Sequence, residues 1–430
     1  MGESRHIPPG AARRAARNKE LITAMSKFCR IARNRTRRGA AKPRPQNCRI
    51  PGGLPLIAAI FATLLAATTT ANAQNITIAN AEALAAALQQ AQGGETLVLA
   101  PGDYGDVTVR RSFIDTVTLT AAEPHGARFG KLEVLGGGGL RFQGIETEIF
   151  SAVREAIGIE LLDSRVRALS YFRNVSDITL ERNDLRGQQH ALLLNTVKRF
   201  TVRGNLIHNA IEDLMRVTGD SHDGVIEYNR FFDMHPEDHR AAGKGYTHSD
   251  ALQMFAVDGK TPRSIVIRRN HIYDDPATGA PTVTPQGIFL SDAGPEAYRD
   301  IRVEENLIAV RSANSIYVNG GQHNVVIRNN SLIPGPQDGG AVIRLANKHK
   351  WSNGGTTVTG NVVKIIHDES KGSTVSGNHA YGRNAALARL FAGTGRSWQD
   401  FLPPKISPIA LGSGLGAEKY LQDLLEQDPG

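Results

Sequence analysis

The chain is poor in cysteine, in aromatic residues and in long apolar runs. Its two cysteines, Cys29 and Cys48, both fall within the first 73 residues. A chain read from Gln74 onward has no thiol and no disulfide, which excludes thiol chemistry and leaves packing as the source of stability. No H-E-x-x-H pair occurs, so a zinc site of that kind is excluded. The glycine run Gly136–Gly139 lacks a following Lys-Ser or Lys-Thr and does not make a phosphate-cradling loop. Aromatic residues are 6% of the chain, against 44 glycines. That balance suits many short strands and turns better than a helical bundle.

An excess of positive charge is also missing from most of the chain. Residues 1–73 hold 14 Lys and Arg against Glu3 and Glu20, leaving 36 basic and 40 acidic residues after them. The formal charge of +8 therefore belongs to the leader, and a nucleic-acid partner is not expected. Within the leader, the apolar run Leu54–Ala67 follows basic residues and precedes Ala71-Asn72-Ala73. It is short for a membrane span and reads as a secretory signal cleaved after Ala73. The expectation is a periplasmic or extracellular protein with no membrane association after cleavage.

What is present is a repeat. Two apolar residues at spacing two, then two residues, then Asn, recur in segments ending at Asn183, Asn205, Asn229, Asn270, Asn306 and Asn330, with weaker copies at Asn361 and Asn378. Among the six stronger copies the shortest intervals are 22 and 24 residues, the length of one coil of a three-sheet solenoid. Alternating apolar positions point inward. The Asn closing each copy suits a sharp left-handed turn, and stacked copies would bond side chain to side chain in a ladder.

A second pattern, x-small-apolar-x-apolar, aligns six segments beginning at His190, Asp213, Asp250, Gln286, Asn314 and Ala341. Its third and fifth positions are apolar throughout, so the first and fourth face outward. One outward column runs His190, Asp213, Asp250, Gln286, Asn314. The other runs Leu193, Arg216, Gln253, Phe289, Tyr317, Arg344. Neighbours within a column are expected about 4.8 Å apart. The fold expected is an all-β, right-handed parallel β-helix over 74–385. Ala81–Gln90 caps its start, and a segment over 386–430 caps its far end, protecting the open strand edges.

Two insertions break the spacing. Seven or eight positions usually separate the Asn from the next outward column, but Asn229 to Asp250 is 21 and Asn270 to Gln286 is 16. Long loops on a regular scaffold favour function. The first insertion holds His235, Arg240, Lys244, Tyr246 and His248 and runs into Asp250. The second offers Asp274 and Asp275 among Gly and Pro and reads as a shaped wall.

From about Asn75 to Asn378 the repeat and the cap helix resemble the pectate-lyase-like right-handed β-helix superfamily. The segment His248-Ser249-Asp250-Ala251-Leu252-Gln253 is similar to H-x-D-x-x-Q segments of bacterial members with carbohydrate-related roles. The resemblance implies a polysaccharide-active groove enzyme. Neither the D-P-H pattern of mannuronan epimerases nor the R-x-P-x-x-R pattern of pectate lyases occurs.

A groove of repeated polar columns suits a polymer. β-Elimination on a polyuronate needs a group to neutralise the C6 carboxylate, a base for the C5 proton and an acid for the leaving oxygen. Arg216, Arg240 or Ca²⁺ would neutralise, Lys244 or His248 would be the base, and Tyr246 the acid. His235 and Asp250 complete the candidate catalytic set. Substrate contacts are expected from Arg216, Gln253, Gln286, Phe289, Asn314, Tyr317 and Arg344. Asp213 and Asp250 would hold Ca²⁺, or form a glycosidase pair. The reading is a secreted, monomeric lyase on an acidic polysaccharide. A C5-epimerase, a glycoside hydrolase and a non-catalytic carbohydrate-binding module are the alternatives.

Overall fold

The computed structural model describes residues 75–427, apart from 276–277, 280–281, 313, 336–338 and 349. The leader, the cleavage site after Ala73 and both cysteines lie outside the described residues.

The apolar spacing-two pattern folds as expected, into a right-handed parallel β-helix. Each regular coil contributes three strands. In the coil carrying Asp250 they are Arg230–Met234, Asp250–Phe255 and Arg263–Arg268. In the next they are His271–Tyr273, Gln286–Leu290 and Tyr298–Glu304. Each strand pairs in parallel with its counterpart one coil on, as in Phe231 with Ile272, Gln253 with Phe289 and Ile265 with Ile301. Three sheets result, here termed flank, groove and back in chain order within a coil. Because every coil's N–H and C=O groups pair with neighbouring coils, the backbone is satisfied without helices over the sheet faces.

The register of the groove sheet matches the expected columns. Leu193, Arg216, Gln253, Phe289, Tyr317 and Arg344 are successive partners, and Asp250 pairs with Gln286. The intervening Leu252, Ile288, Ile316 and Ile343, with Met254, Leu290, Val318 and Leu345, are fully buried. This inward stacking of matched apolar side chains is the main stabilising term of the fold.

The asparagine ladder forms over eight coils. Each Asn Nδ2 donates to the next Asn Oδ1 at 2.8–3.0 Å, from Asn183 through Asn205, Asn229, Asn270, Asn306, Asn330 and Asn361 to Asn378. The same Oδ1 also accepts the preceding asparagine's backbone N–H. The turn conformation differs from expectation by one residue. The left-handed position is the residue before each ladder Asn: Arg182, Gly204, Tyr228, Arg269, Glu305, Asn329, Gly360 and Gly377, with φ between 53° and 67°. The ladder Asn is thereby turned into the core, and its amide hydrogen bonds offset the strain of a left-handed non-glycine neighbour.

The N-terminal cap is as expected. The Asn80 side chain accepts from Ala83 N–H at 2.9 Å to start helix Ala81–Gln90, which buries Leu84 and Leu88. The C-terminal segment lies elsewhere than anticipated. Leu390, Phe391, Phe401, Tyr420 and Leu421 pack on Leu307, Ala309, Ile333 and Val362 of the flank sheet and its adjoining turn. Gly395 O accepts from His271 Nε2, Asp423 pairs with Arg269, and Ala417 N–H donates to Ser331 Oγ. On the last coil, Val375 remains 41% exposed.

Removing one rung tests the ladder. Asn270→Ala deprives Asn229 of its acceptor and Asn306 of one of its two donors. A loss of about 2–3 kcal/mol in urea unfolding is expected, with groove chemistry unchanged. Wild-type stability in this variant would rule out the ladder as a structural requirement.

Candidate active site in the groove

The second turn of each coil, from flank sheet to groove sheet, receives both insertions. The first folds back on itself through an antiparallel bridge between Asp238 and Tyr246 around the short helix Arg240–Ala242. The second insertion meets it. Arg240 Nη2 donates to Thr282 O at 3.3 Å, and Thr278 Oγ1 donates to Met234 O at 2.9 Å. The second insertion is itself anchored by the buried pair Arg311–Asp274 and by Arg396–Asp275 at 2.7 Å. Asp274 and Asp275 are therefore fasteners of a wall, as the composition of that loop suggested. Together the loops enclose a pocket of about 320 Å³ whose lining includes Arg240, Tyr246, His248, Thr282 and Gln286.

The pocket opens onto a line of polar groups crossing successive coils. Asp213 and Asp250 are both 0% exposed. Asp213 Oδ1 accepts Asp250 N–H at 3.0 Å, and Asp213 Oδ2 is paired with Arg216. Arg216 also reaches Glu212 at 3.1 Å, and Glu212 lies 3.5 Å from His190. His248 Nδ1 sits 3.0 Å from Asp250 Oδ2. That is ion-pair distance, but the contact lacks the alignment of a good hydrogen bond, so neither Asp250 oxygen has a well-formed donor. On its other side His248 Nε2 meets the Gln286 amide nitrogen at 2.9 Å, and Gln286 Oε1 accepts from Asn314 Nδ2 at 2.7 Å. The imidazole side chain is 47% exposed.

Electrostatics follow from burial. Asp213 is pushed up to about 7, by its removal from water and then by the Asp250 charge, against the pull of Arg216. Burial raises Asp250 too, opposed by His248 and Arg216. Two buried carboxylates share one guanidinium, so one proton is retained near neutrality. The Asp250 carboxylate raises His248 above the ordinary imidazole value despite partial burial. His190, deeper and beside Arg216, is lowered by burial to about 4.

The expected residues separate into groups. Arg240, Tyr246, His248 and Gln286 come together at the pocket, with Asp250 beneath. Tyr246 is 55% exposed, and the Arg240 guanidinium lies 5.2 Å from its ring centre. Lys244 is not among these: it is exposed at the outer end of the first insertion. His235 faces Asp233 at 3.1 Å beside the flank-sheet residue His208, because it precedes the point where the loop turns to the groove. Arg216 is committed to two carboxylates. Gln253 stands between Arg216 and Phe289 in its column. Phe289 meets His248 edge-on at 5.0 Å and stacks on Tyr317 at 4.6 Å. Tyr317 is 4% exposed, so it supports Phe289 instead of offering a free platform. Arg344 pairs with Glu369 at 2.9 Å. Glu212 was missed, although it adjoins Asp213 and its partner Arg216 is four residues on.

Calcium does not match the Asp213–Asp250 pair. Asp213, His248 and Asp250 offer donor atoms within 4.8 Å of one another, but Ca²⁺ takes six to eight oxygens. Here an imidazole occupies one corner, both Asp213 oxygens already accept hydrogen bonds, and a guanidinium supplies the positive charge.

Comparison with known families agrees on the fold. A right-handed β-helix region model matches residues 157–332. Similar solved structures are pectate lyases, alginate lyases and other β-helix proteins. An alginate lyase from Paenibacillus sp. is 14% identical over 71% of this chain and 98% of its own, with TM-score 0.44. The pectate lyase Pel9A is 15% identical over 74% and 83%, with TM-score 0.47. The Dettilon tailspike protein is 10% identical over 69% and 61%, with TM-score 0.45. No curated protein sequence matches the chain.

A buried acid with a raised pKa binds its proton more tightly when folded. Its contribution to stability therefore falls as pH rises from about 4, the unfolded value, toward about 7. The stability difference between wild type and Asp213→Asn, from denaturant unfolding, is expected to shift steadily toward the variant across that window. A pH-independent difference would mean that Asp213 is ionised throughout.

Proposed function

We propose that this protein is a secreted polysaccharide lyase that cleaves an acidic, uronate-containing polymer by β-elimination in the groove. The observation that carries the reading is the pairing of a half-exposed imidazole, His248, with a fully buried carboxylate, Asp250, at the foot of a pocket walled by Arg240 and Tyr246. A carboxylate behind one ring nitrogen orients the imidazole and makes the other a stronger base.

In this mechanism Arg240 neutralises the C6 carboxylate of the bound uronate, which acidifies the C5 hydrogen. His248 Nε2 takes that proton once the substrate has displaced the Gln286 amide from its lone pair. The electron pair of the broken C5–H bond forms the C4=C5 double bond, the C4–O bond breaks, and Tyr246 gives its phenolic proton to the leaving oxygen. Phe289, beside His248, offers an apolar surface to a sugar ring. Burial argues against the paired-aspartate hydrolase: Asp213 and Asp250 lie beneath the groove floor, each 0% exposed, where a glycosidic oxygen cannot reach them. The apolar run and A-x-A site of the leader support export to the periplasm or beyond.

The test is incubation with alginate, pectate, glucuronan and glycosaminoglycans, following ultraviolet absorbance of the unsaturated product together with reducing ends. Both signals rising is expected. Reducing ends alone would replace the lyase with a hydrolase, and hydrogen exchange at C5 without cleavage would replace it with an epimerase. On the substrate so identified, His248→Ala is expected to lower turnover by about 10²-fold or more, whereas Lys244→Ala stays within about threefold because that side chain lies outside the pocket. The base must be unprotonated and its pKa is raised. kcat/KM should therefore climb with pH through a value above about 6.5; a rate that falls over that range would remove His248 as the base.

A further inference from the structure

We infer that Gln286, oriented by Asn314, is a positioning residue for the groove base: its amide donates to the groove-facing nitrogen of His248 and holds the imidazole neutral, with its proton on the Asp250 side. This inference rests on the reading of His248 as the base and adds what keeps that base ready.

The contact joins two nitrogens, His248 Nε2 and Gln286 Nε2, 2.9 Å apart. An amide nitrogen only donates, so the imidazole nitrogen must supply the lone pair. The ring proton then sits on Nδ1, the nitrogen that faces Asp250 Oδ2 at 3.0 Å. The orientation of the Gln286 amide is set from its far side, where Oε1 accepts from Asn314 Nδ2 at 2.7 Å. Turning Gln286 over would place its nitrogen against the Asn314 nitrogen unless both amides turned together. Gln286 is 9% exposed, so water competes little for either end of its amide.

The arrangement balances opposing influences on one ring. From its own strand Asp250 favours the imidazolium. From the preceding coil Asp213 does likewise, while Arg216 disfavours it. From the following coil come the uncharged Phe289 and Gln286. Arg240 and Tyr246 stand in the pocket wall. Two buried carboxylates close to an imidazole would keep it protonated and useless as a base. The Gln286 N–H₂ group, pointed at Nε2, opposes this, because an imidazolium would bring N–H against N–H. Three coils in register, carrying Asp250, Gln286 and Asn314, thus make one line of polar contacts through the ring.

The experiment is ¹⁵N-resolved NMR titration of the histidines in the whole protein, without substrate, on wild type, Asn314→Ala and Gln286→Glu. Wild type should show His248 as the Nδ1–H tautomer at high pH. Asn314→Ala frees Gln286 to present its oxygen to the ring, and His248 should then titrate about one pH unit higher. Gln286→Glu replaces the donor with an acceptor and should raise it further. With substrate, the acidic limb of the rate profile should move up by the same amount in Asn314→Ala, a pattern that general loss of packing would not produce. An Nε2–H tautomer in wild type, or an unchanged titration in both variants, overturns the inference. Because the titration needs no substrate, its failure is distinct from failure of the lyase reading, which the product assay decides.

Discussion

The amide-to-amide hydrogen bond of the ladder asparagines is the constraint on which the groove depends. Each ladder Asn holds the backbone N–H of its predecessor as well as its side chain, so it fixes where one coil ends relative to the next. A parallel solenoid can otherwise slip, since a shift of two residues preserves the inward and outward faces. With the turn pinned, the strands after it start in register, and residues from distant parts of the sequence become neighbours. Asp213 and Asp250, 37 residues apart, touch for this reason.

That contact is expensive. Two carboxylates removed from water repel each other and are offset by one guanidinium, and such buried charge is weak evidence for stability. The pair therefore looks like a feature kept for the group it supports, the imidazole at the groove surface. The rest of the line, from Glu212 and Arg216 on one side to Gln286 and Asn314 on the other, partners polar atoms of Asp213 and His248. It is a network in which each member restrains the next.

The walls obey a different logic. The two insertions have no periodic pattern and are tied to each other and to the flank by specific contacts: Arg240 to Thr282, Arg311 to Asp274 and Arg396 to Asp275. The last of these reaches from the C-terminal segment, so the polypeptide that covers the apolar flank also braces the pocket. The loop carrying the proposed catalytic groups thereby leans on a second loop that is itself fastened from two other parts of the chain.

Periodicity by itself determined the solenoid, its coil length, the ladder and the outward column through Arg216, Gln253 and Phe289, because strand geometry assigns every second residue to a face and the coil repeat stacks equal positions; the column through Asp213 and Asp250, also expected to face outward, is buried. That Asp250, Gln286, Asn314 and Arg216 lie on neighbouring strands of one sheet was legible for that reason. Tertiary structure decided everything that periodicity does not reach. Loop side chains have no fixed direction, so His235 joined the flank and Lys244 stayed outside while Arg240, Tyr246 and His248 met at the pocket. Burial under neighbouring groups is a property of the packed surface, so the loss of Tyr317 as a free platform and the sealing of the two aspartates could not be read from spacing. The left-handed residue moved one place from the expected Asn because the Asn amide has to point into the core to reach its neighbours, and the backbone turn was left to the residue before it.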